Sequence, residues 1–317
     1  MLLAPKPMHI PDGFLNIVIS LICWAITVAI LAIAISRTNK SLGEKQVPLM
    51  GIMAAFIFAA QMINLPVAGG TSGHLLGGTL AAITLGPWAG MLVMTAVIAV
   101  QGLLFQDGGL LVMGANILNM GLLTVAVGYG LYRSVSGKSK GAKLAVAGIA
   151  AWISVMTGAF ATSLELWLSG TARLNIVIPA MLGVHTLIGI GEALITVAAL
   201  SFILRTRPDL LGDESASGRG SRGWVVAGIL ITLAVLLLSP LASADPDGLN
   251  RVAMDLGFIH TEQARSGPLA GYTIPFLANS SVAKIAAGAI GALVVLTLAI
   301  LAGRTLQKKT QAEDHKS

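Results

Sequence analysis

The sequence predicts an all-α polytopic membrane protein, and three observations predict it. Hydrophobic residues make up 55% of the chain and charged ones only 11%, where a soluble domain carries roughly 25% charged. The mean hydropathy is +0.84. The apolar residues also gather into runs close to the roughly 20 residues that cross a hydrocarbon core. No stretch has the charge to cover a soluble surface, so a bilayer is the expected surrounding. The net charge of +6 is then a topology signal rather than a sign of nucleic-acid affinity, and no nucleic-acid partner is expected.

Nine candidate spans follow in order, near 15–36, 46–64, 74–86, 88–106, 111–132, 144–168, 175–204, 224–243 and 282–303. The third is the exception in length. It opens in glycines and stops at Gly86-Pro87, so it reads as a short helix or a re-entrant segment, which is tolerated at membrane depth only when buried in protein or lining a cavity. Cys23 lies within the first span, and as the one cysteine it excludes an intrachain disulfide and a thiolate cluster; it reads as a small apolar filler. The first seven residues carry two prolines and no apolar core of a signal peptide, so the span at 15–36 is expected to remain as a membrane helix.

Lysine and arginine set the expected orientation. With the N-terminus outside, the inner loops hold Arg37, Lys40 and Lys45, then Arg133, Lys138, Lys140 and Lys143, then Arg205, Arg207, Arg219 and Arg222. The tail adds Arg304, Lys308, Lys309 and Lys316, which leaves Lys6, Arg173, Arg251, Arg265 and Lys284 on the other side. That asymmetry predicts N-terminus out and C-terminus in. His9, His74 and the loop at Gln106-Asp107-Gly108-Gly109 then share the outer side.

Composition divides the chain. Residues 8–205 form a membrane domain. Residues 206–223, rich in glycine, serine and charge, read as a cytoplasmic linker. Residues 224–304 form a two-helix hairpin around an outer loop at 244–281, too long for a simple connection and so a candidate for function. The tripeptide Pro-Asp-Gly occurs at Pro11-Asp12-Gly13 and again at Pro246-Asp247-Gly248; by itself this repeats a turn type, not a domain.

The chemistry is expected at the outer mouth. His9 stands in Met8-His9-Ile10-Pro11-Asp12-Gly13-Phe14-Leu15, and His74 in the glycine-rich break Gly69-Gly70-Thr71-Ser72-Gly73-His74-Leu75-Leu76-Gly77-Gly78. Imidazole is a common transition-metal ligand. A Met-His pair at a free N-terminus would offer an amine, a deprotonated amide and an imidazole, and a second imidazole would complete a planar nitrogen set. Such a set suits Ni(II) or Cu(II), with Co(II) also compatible. Met8, His9 and His74 are the candidate ligands. The amine requires Met8 to be the first residue although seven residues precede it; translation from Met8, trimming, or absence of that ligand are the alternatives, the first being favoured. The bland alternatives are an interfacial histidine at 9, a helix-break hydrogen bond at 74, and glycines that permit close helix packing.

Ionisable groups inside spans come next. His185 and Glu192 are seven apart on one helix face near mid-membrane, and a structural polar network joining them is expected over a relay. Glu165 lies near the outer end of its span. Gln61, Asn64, Gln101, Asn116 and Asn119 read as interhelical hydrogen-bonders or loop-lining groups, with Asn64 bracing the glycine loop.

Three segments carry a resemblance: 8–15, Gly70 to Gly78, and His185-Thr186-Leu187-Ile188-Gly189-Ile190-Gly191-Glu192. They resemble the CbiM/NikM family, the substrate-specific (S) component of energy-coupling-factor cobalt/nickel transporters, over roughly residues 8–205. Pro246-Asp247-Gly248-Leu249 is similar to the PDGLE type of extra component (NikN/CbiN-like), with Asn250 where Glu is usual. The resemblance implies a bundle of about seven helices plus the C-terminal hairpin. It implies an outward metal site formed by the Met8 amine, the His9 amide and imidazole, and His74, with the seven-residue extension departing from that pattern. It also implies separate partners, a transmembrane coupling (T) protein of the CbiQ/NikQ type and a cytoplasmic ATPase of the CbiO/NikO type. The chain has no Gly-x-x-x-x-Gly-Lys-Ser/Thr phosphate loop of its own.

The expected function is therefore capture of Ni²⁺ or Co²⁺ as transported substrate, without a resident cofactor, in a multi-pass protein of a prokaryotic plasma membrane. Nickel is favoured slightly, because planar nitrogen ligation suits it and Pro11-Asp12 is similar to the nickel type; cobalt import would serve cobalamin synthesis. Two other classes stay open: an ion-coupled secondary metal transporter relying on His185 and Glu192, and a hydrolase using Ser72 near His74, for which no third orienting group is visible.

Overall fold

The computed structural model describes residues 8–39, 42–43, 46–135, 137–206, 223–263, 267, 269–274, 276–277 and 279–314. The expected linker lies almost wholly outside them, as do residues 1–7. The described chain is helical, with one two-stranded hairpin. Seven of its helical segments are long and apolar enough to cross a membrane.

The first helix, α1 (Ile17–Asn39), shows how a lipid-facing helix sorts its residues. Ser20, Cys23, Thr27, Ala34 and Thr38 are buried, while Ile17, Val18, Leu21 and Ile22 are exposed. Lipid is as apolar as leucine, so small and hydroxyl side chains turn inward, where backbones approach and hydrogen bonds form. Thr27 accordingly donates to the Gly114 carbonyl at 2.8 Å. Helix α2 (Gln46–Gln61) is instead buried on nearly every side, as an all-apolar helix at the centre of a bundle should be.

Of the nine candidate spans, the second is shorter than expected, and the third is the short segment that the sequence indicated. At 16 residues, α2 reaches about 24 Å. The third segment is only α3 (Gly78–Leu85), 8 residues and about 12 Å long. Before it, β1 (Leu65–Pro66) and β2 (Ser72–Gly73) pair antiparallel, so most of residues 65–77 is a non-helical dip with α3 continuing it. Leu65, Pro66 and residues 68–70 are exposed, whereas residues 71–73 and 75–77 are buried in protein, which is what makes irregular backbone tolerable at depth. At Gly77, φ is +82° and an added Cβ would press on Ile57, so this turn requires glycine. Gly86 and Pro87 then reverse the chain into α4 (Pro87–Phe105).

The next crossing is not a plain α-helix. It begins as α5 (Met113–Asn116), passes through a π-helical stretch at Ile117–Leu123, and finishes as α6 (Thr124–Arg133). The wide turn sits where Asn116, Asn119 and Met120 reach a cavity; π-bulges frequently occur at functional sites. Helices α7 (Lys140–Leu168) and α8 (Leu174–Thr206) form an antiparallel pair. Small residues on α7, among them Ala151, Ser154, Gly158 and Ala159, are buried, which permits close helix approach.

The C-terminal part comprises α9 (Gly223–Leu238), the short α10 (Gly248–Asp255) and the long α11 (Ser280–Asp314). Helix α11 packs on α2 and α4, and α9 packs on α2. The intervening segment does not stand away from the bundle. The Ser72 amide donates to the Pro246 carbonyl at 2.9 Å, and Ser72 forms a parallel bridge with Asp247.

Candidate metal-binding site

His9 and His74, 65 positions apart, meet edge to face with ring centroids 5.4 Å apart. The segment before α1 is fixed by backbone-directed side chains. Asp12 accepts from the amides of Leu110, Leu111 and Val112 at 3.2, 3.0 and 3.2 Å. Asn116 pairs with Ile10 both ways, accepting from its amide and donating to its carbonyl, each at 3.0 Å. An added Cβ on Gly109 would collide with Asp12, so glycine lets the two loops touch.

The hydrogen bonds set the tautomers. His9 Nδ1 lies 2.9 Å from the Asp107 carbonyl; a carbonyl only accepts, so Nδ1 carries the proton. The Nε2 lone pair is then buried without a partner. In His74, Nδ1 is 3.0 Å from the Leu75 carbonyl and Nε2 is 3.4 Å from that of Met8. A neutral imidazole can donate from only one nitrogen, and the shorter contact assigns it to Nδ1. The neutral form is the one that ligates.

Asp107 organises this end of the bundle. Its carbonyl holds His9, its Oδ1 accepts from the Met8 nitrogen at 2.6 Å, and its Oδ2 accepts from the Tyr272 hydroxyl at 2.7 Å. In the 317-residue chain the Met8 nitrogen is the peptide nitrogen after Pro7. All three expected ligand residues thus stand together. His9 chelation through its own amide would use Nδ1, however, and here that nitrogen is engaged by Asp107. Among the described residues no three His, Cys, Asp or Glu side chains gather as a metal cluster.

The expected His185–Glu192 network is not formed. Seven residues of helix separate them by about 10 Å along the axis, too far for a direct bond. Glu192 instead accepts from the amides of Leu76 and Gly77 at 2.6 and 2.8 Å, clamping the inner end of the His74 loop to α8. His185 Nδ1 donates to the Met181 carbonyl at 2.7 Å. The proposed pair for an ion-coupled relay is therefore divided between two structural tasks. Gln61, not the side chain of Asn64, braces the glycine loop, donating to the Leu76 carbonyl at 2.7 Å. Ser72 donates to the Asp245 carbonyl at 2.8 Å and is fully buried, which removes it as a nucleophile.

Sequence reasoning did not single out Asp107, the clamping role of Glu192, or Tyr272. A hint for Asp107 existed in its place within the Gln106–Gly109 loop; nothing in the spacing pointed to Tyr272.

Comparison with known proteins gives a consistent result. Residues 9–210 match the family model of the cobalt uptake substrate-specific transmembrane region, CbiM, and residues 222–308 match the PDGLE domain. A protein of Archaeoglobus fulgidus provisionally named fused nickel transport protein NikMN is 36% identical over 92% of this chain and 96% of its own length. The fused nickel transport protein NikMN of Rhodobacter capsulatus is 28% identical over 93% and 97%. The cobalt transport protein CbiM of Sorangium cellulosum is 32% identical over 64% and 94%. A crystal structure of a transition metal transporter aligns with a TM-score of 0.58 at 36% identity, covering 67% of this chain and all of that one.

Proposed function

From the premise that the chain belongs to the CbiM family, fused to a PDGLE domain, we propose that this transmembrane cobalt/nickel transport protein captures its ion at the end of the bundle where His9 meets His74. The observation that carries the reading is the approach of the two rings to 5.4 Å with the His9 Nε2 lone pair unspent. Metal–imidazole bonds of about 2.0–2.1 Å would let one ion lie between the rings after a small rotation. A Met8 amine, in a chain that starts there, would add a third nitrogen. It would first have to leave Asp107, which favours its protonated, non-ligating form.

The distribution of basic residues supports a reading with this end outside the cell and the C-terminus inside. Uptake is then driven by partners, a coupling protein of the CbiQ/NikQ type and an ATPase of the CbiO/NikO type, acting on the loaded bundle.

The test is an intact-mass reading of the purified chain followed by titration with Ni²⁺ and Co²⁺, wild type against His74→Ala. One tight equivalent that falls about 100-fold in affinity, or about 2.7 kcal/mol, is expected in the variant. Equal binding by both chains removes His74 from the site; binding by neither removes the capture reading.

A further inference from the structure

The cavity beneath the two rings continues past them, and its floor has no assigned role. It is about 70 Å³, room for about two waters. Met8, His9 and His74 line it, and so do Asn119, His185 and the carboxyl-bearing Asp247. Asn116, which holds Ile10, is three positions before Asn119, so Asn119 lies about one helical turn deeper.

The unspent groups on this floor are acceptors. Asn119 is 2% exposed, and its Nδ2 is committed, to Glu165 at 2.7 Å and Thr162 at 3.1 Å. Its Oδ1 is buried with no partner. His185 donates through Nδ1 to Met181, so Nε2 keeps its lone pair, and that nitrogen has no hydrogen bond among the described residues. Gly248 makes room for the ring, since a Cβ there would stand 2.9 Å from His185 Cε1. No lysine or arginine borders the cavity among the described residues. A buried acceptor left unpaired, as Asn119 Oδ1 is, is costly, and a cation with its remaining waters would satisfy it while taking the His185 Nε2 lone pair.

We propose that His185 Nε2 and Asn119 Oδ1 form a second cation station, one step below the His9–His74 mouth, which takes a partly hydrated divalent transition-metal ion. The proposal rests on the capture reading and deepens it. The station is distinct from the mouth, because its two protein ligands are other atoms than the His9 and His74 nitrogens and the rest of its coordination is left to water. Its affinity is accordingly weak, which suits an ion that must move on. Glu165, hydrogen-bonded behind Asn119, fixes the amide so that Oδ1 is the free atom.

Co²⁺ titration of the full chain in lipid nanodiscs, followed by d–d absorption, tests this. His185→Ala should keep the tight equivalent within about 2-fold, while His74→Ala should retain only a residual site about 100-fold weaker. Adding His185→Ala to His74→Ala should weaken that residual site by a further ~10-fold. Where alanine destabilises the fold, His74→Ala/His185→Gln keeps an acceptor near the Nε2 position and should restore part of the residual binding. Residual binding that is identical in the His74→Ala single variant and the doubles overturns the station, as does loss of the tight equivalent in His185→Ala. A wild-type chain that takes no Co²⁺ overturns the capture reading itself, and the station with it.

Discussion

Asp107 concentrates several demands in one residue, since it meets Met8, His9 and Tyr272 with three different oxygens. Tyr272 is also stacked on Phe105, ring centroids 4.8 Å apart, so Tyr272→Phe should keep the packing and strand one buried carboxylate oxygen. A loss of about 1–3 kcal/mol is expected, read from chemical unfolding in detergent; an unchanged midpoint would mean that the bond contributes nothing. Asp247 makes a pH prediction. Burial pushes its carboxyl from 3.8 up to about 8; the Asn250 amide opposes this, and Asp107 and Glu262 add to it. Between those values the folded chain keeps a proton that the unfolded chain has lost. Its contribution is therefore present in full below about pH 4 and is lost as pH rises toward 8, with a slope of at most ~1.4 kcal/mol per unit. Asp247→Asn retains an oxygen for the Asn250 amide, so its thermal midpoint should change less between pH 5 and 8 than that of the wild type. Parallel pH profiles for the two chains would show that Asp247 does not titrate there.

At the scale of elements, the clamp between α8 and the dip at 65–77 is what gives His74 a fixed place. A carboxylate can accept two amides at once, whereas in Glu192→Gln the amide NH₂ would face one of those N–H groups. The variant should lose about 2–3 kcal/mol, the range for a hydrogen bond to a charged group plus the stranded donor. Hydrogen exchange at Leu76 and Gly77 should quicken, and the measurement decides it: unchanged protection at both amides would sink the clamp. This contact also marks where sequence legibility stopped. Glycine crowding and the Gly86-Pro87 stop made the short third segment readable, and histidine beside a glycine break made His74 a candidate. The seven-residue spacing of His185 and Glu192 gave their shared face but not the depth of the neighbouring loop, so the partner was misassigned. The π-helical turn left no trace in the apolar periodicity, and neither did the threefold use of Asp12, because its partners are backbone amides that any residue supplies.

At the scale of the whole molecule, the question is whether the C-terminal hairpin is held by the connection at 207–222 or by its own contacts. The contacts are extensive in kind. Helix α11 crosses α2 so closely that a Cβ on Gly291 would strike Phe58, and one on Gly51 would strike Ile300. Phe58 and Phe105 meet at 5.3 Å, with Tyr272 covering both. The 245–247 segment extends the β1–β2 hairpin, and the Gln263 amide donates to the Asp12 carbonyl at 2.8 Å. The hydrogen bonds engage the same loops that carry His9 and His74, so the hairpin is part of the frame of the proposed site and not an appendage to it. Composition revealed the two-helix hairpin and its long loop, but the surface it covers depends on distant pairings that no local pattern encodes. A protease site placed within 207–222 should therefore yield two fragments that co-elute in detergent and still bind one Ni²⁺. Gly291→Leu in the cut chain should release the C-terminal fragment, because the added side chain has no space beside Phe58. Fragments that separate without that substitution would show the covalent connection to be what keeps the hairpin in place.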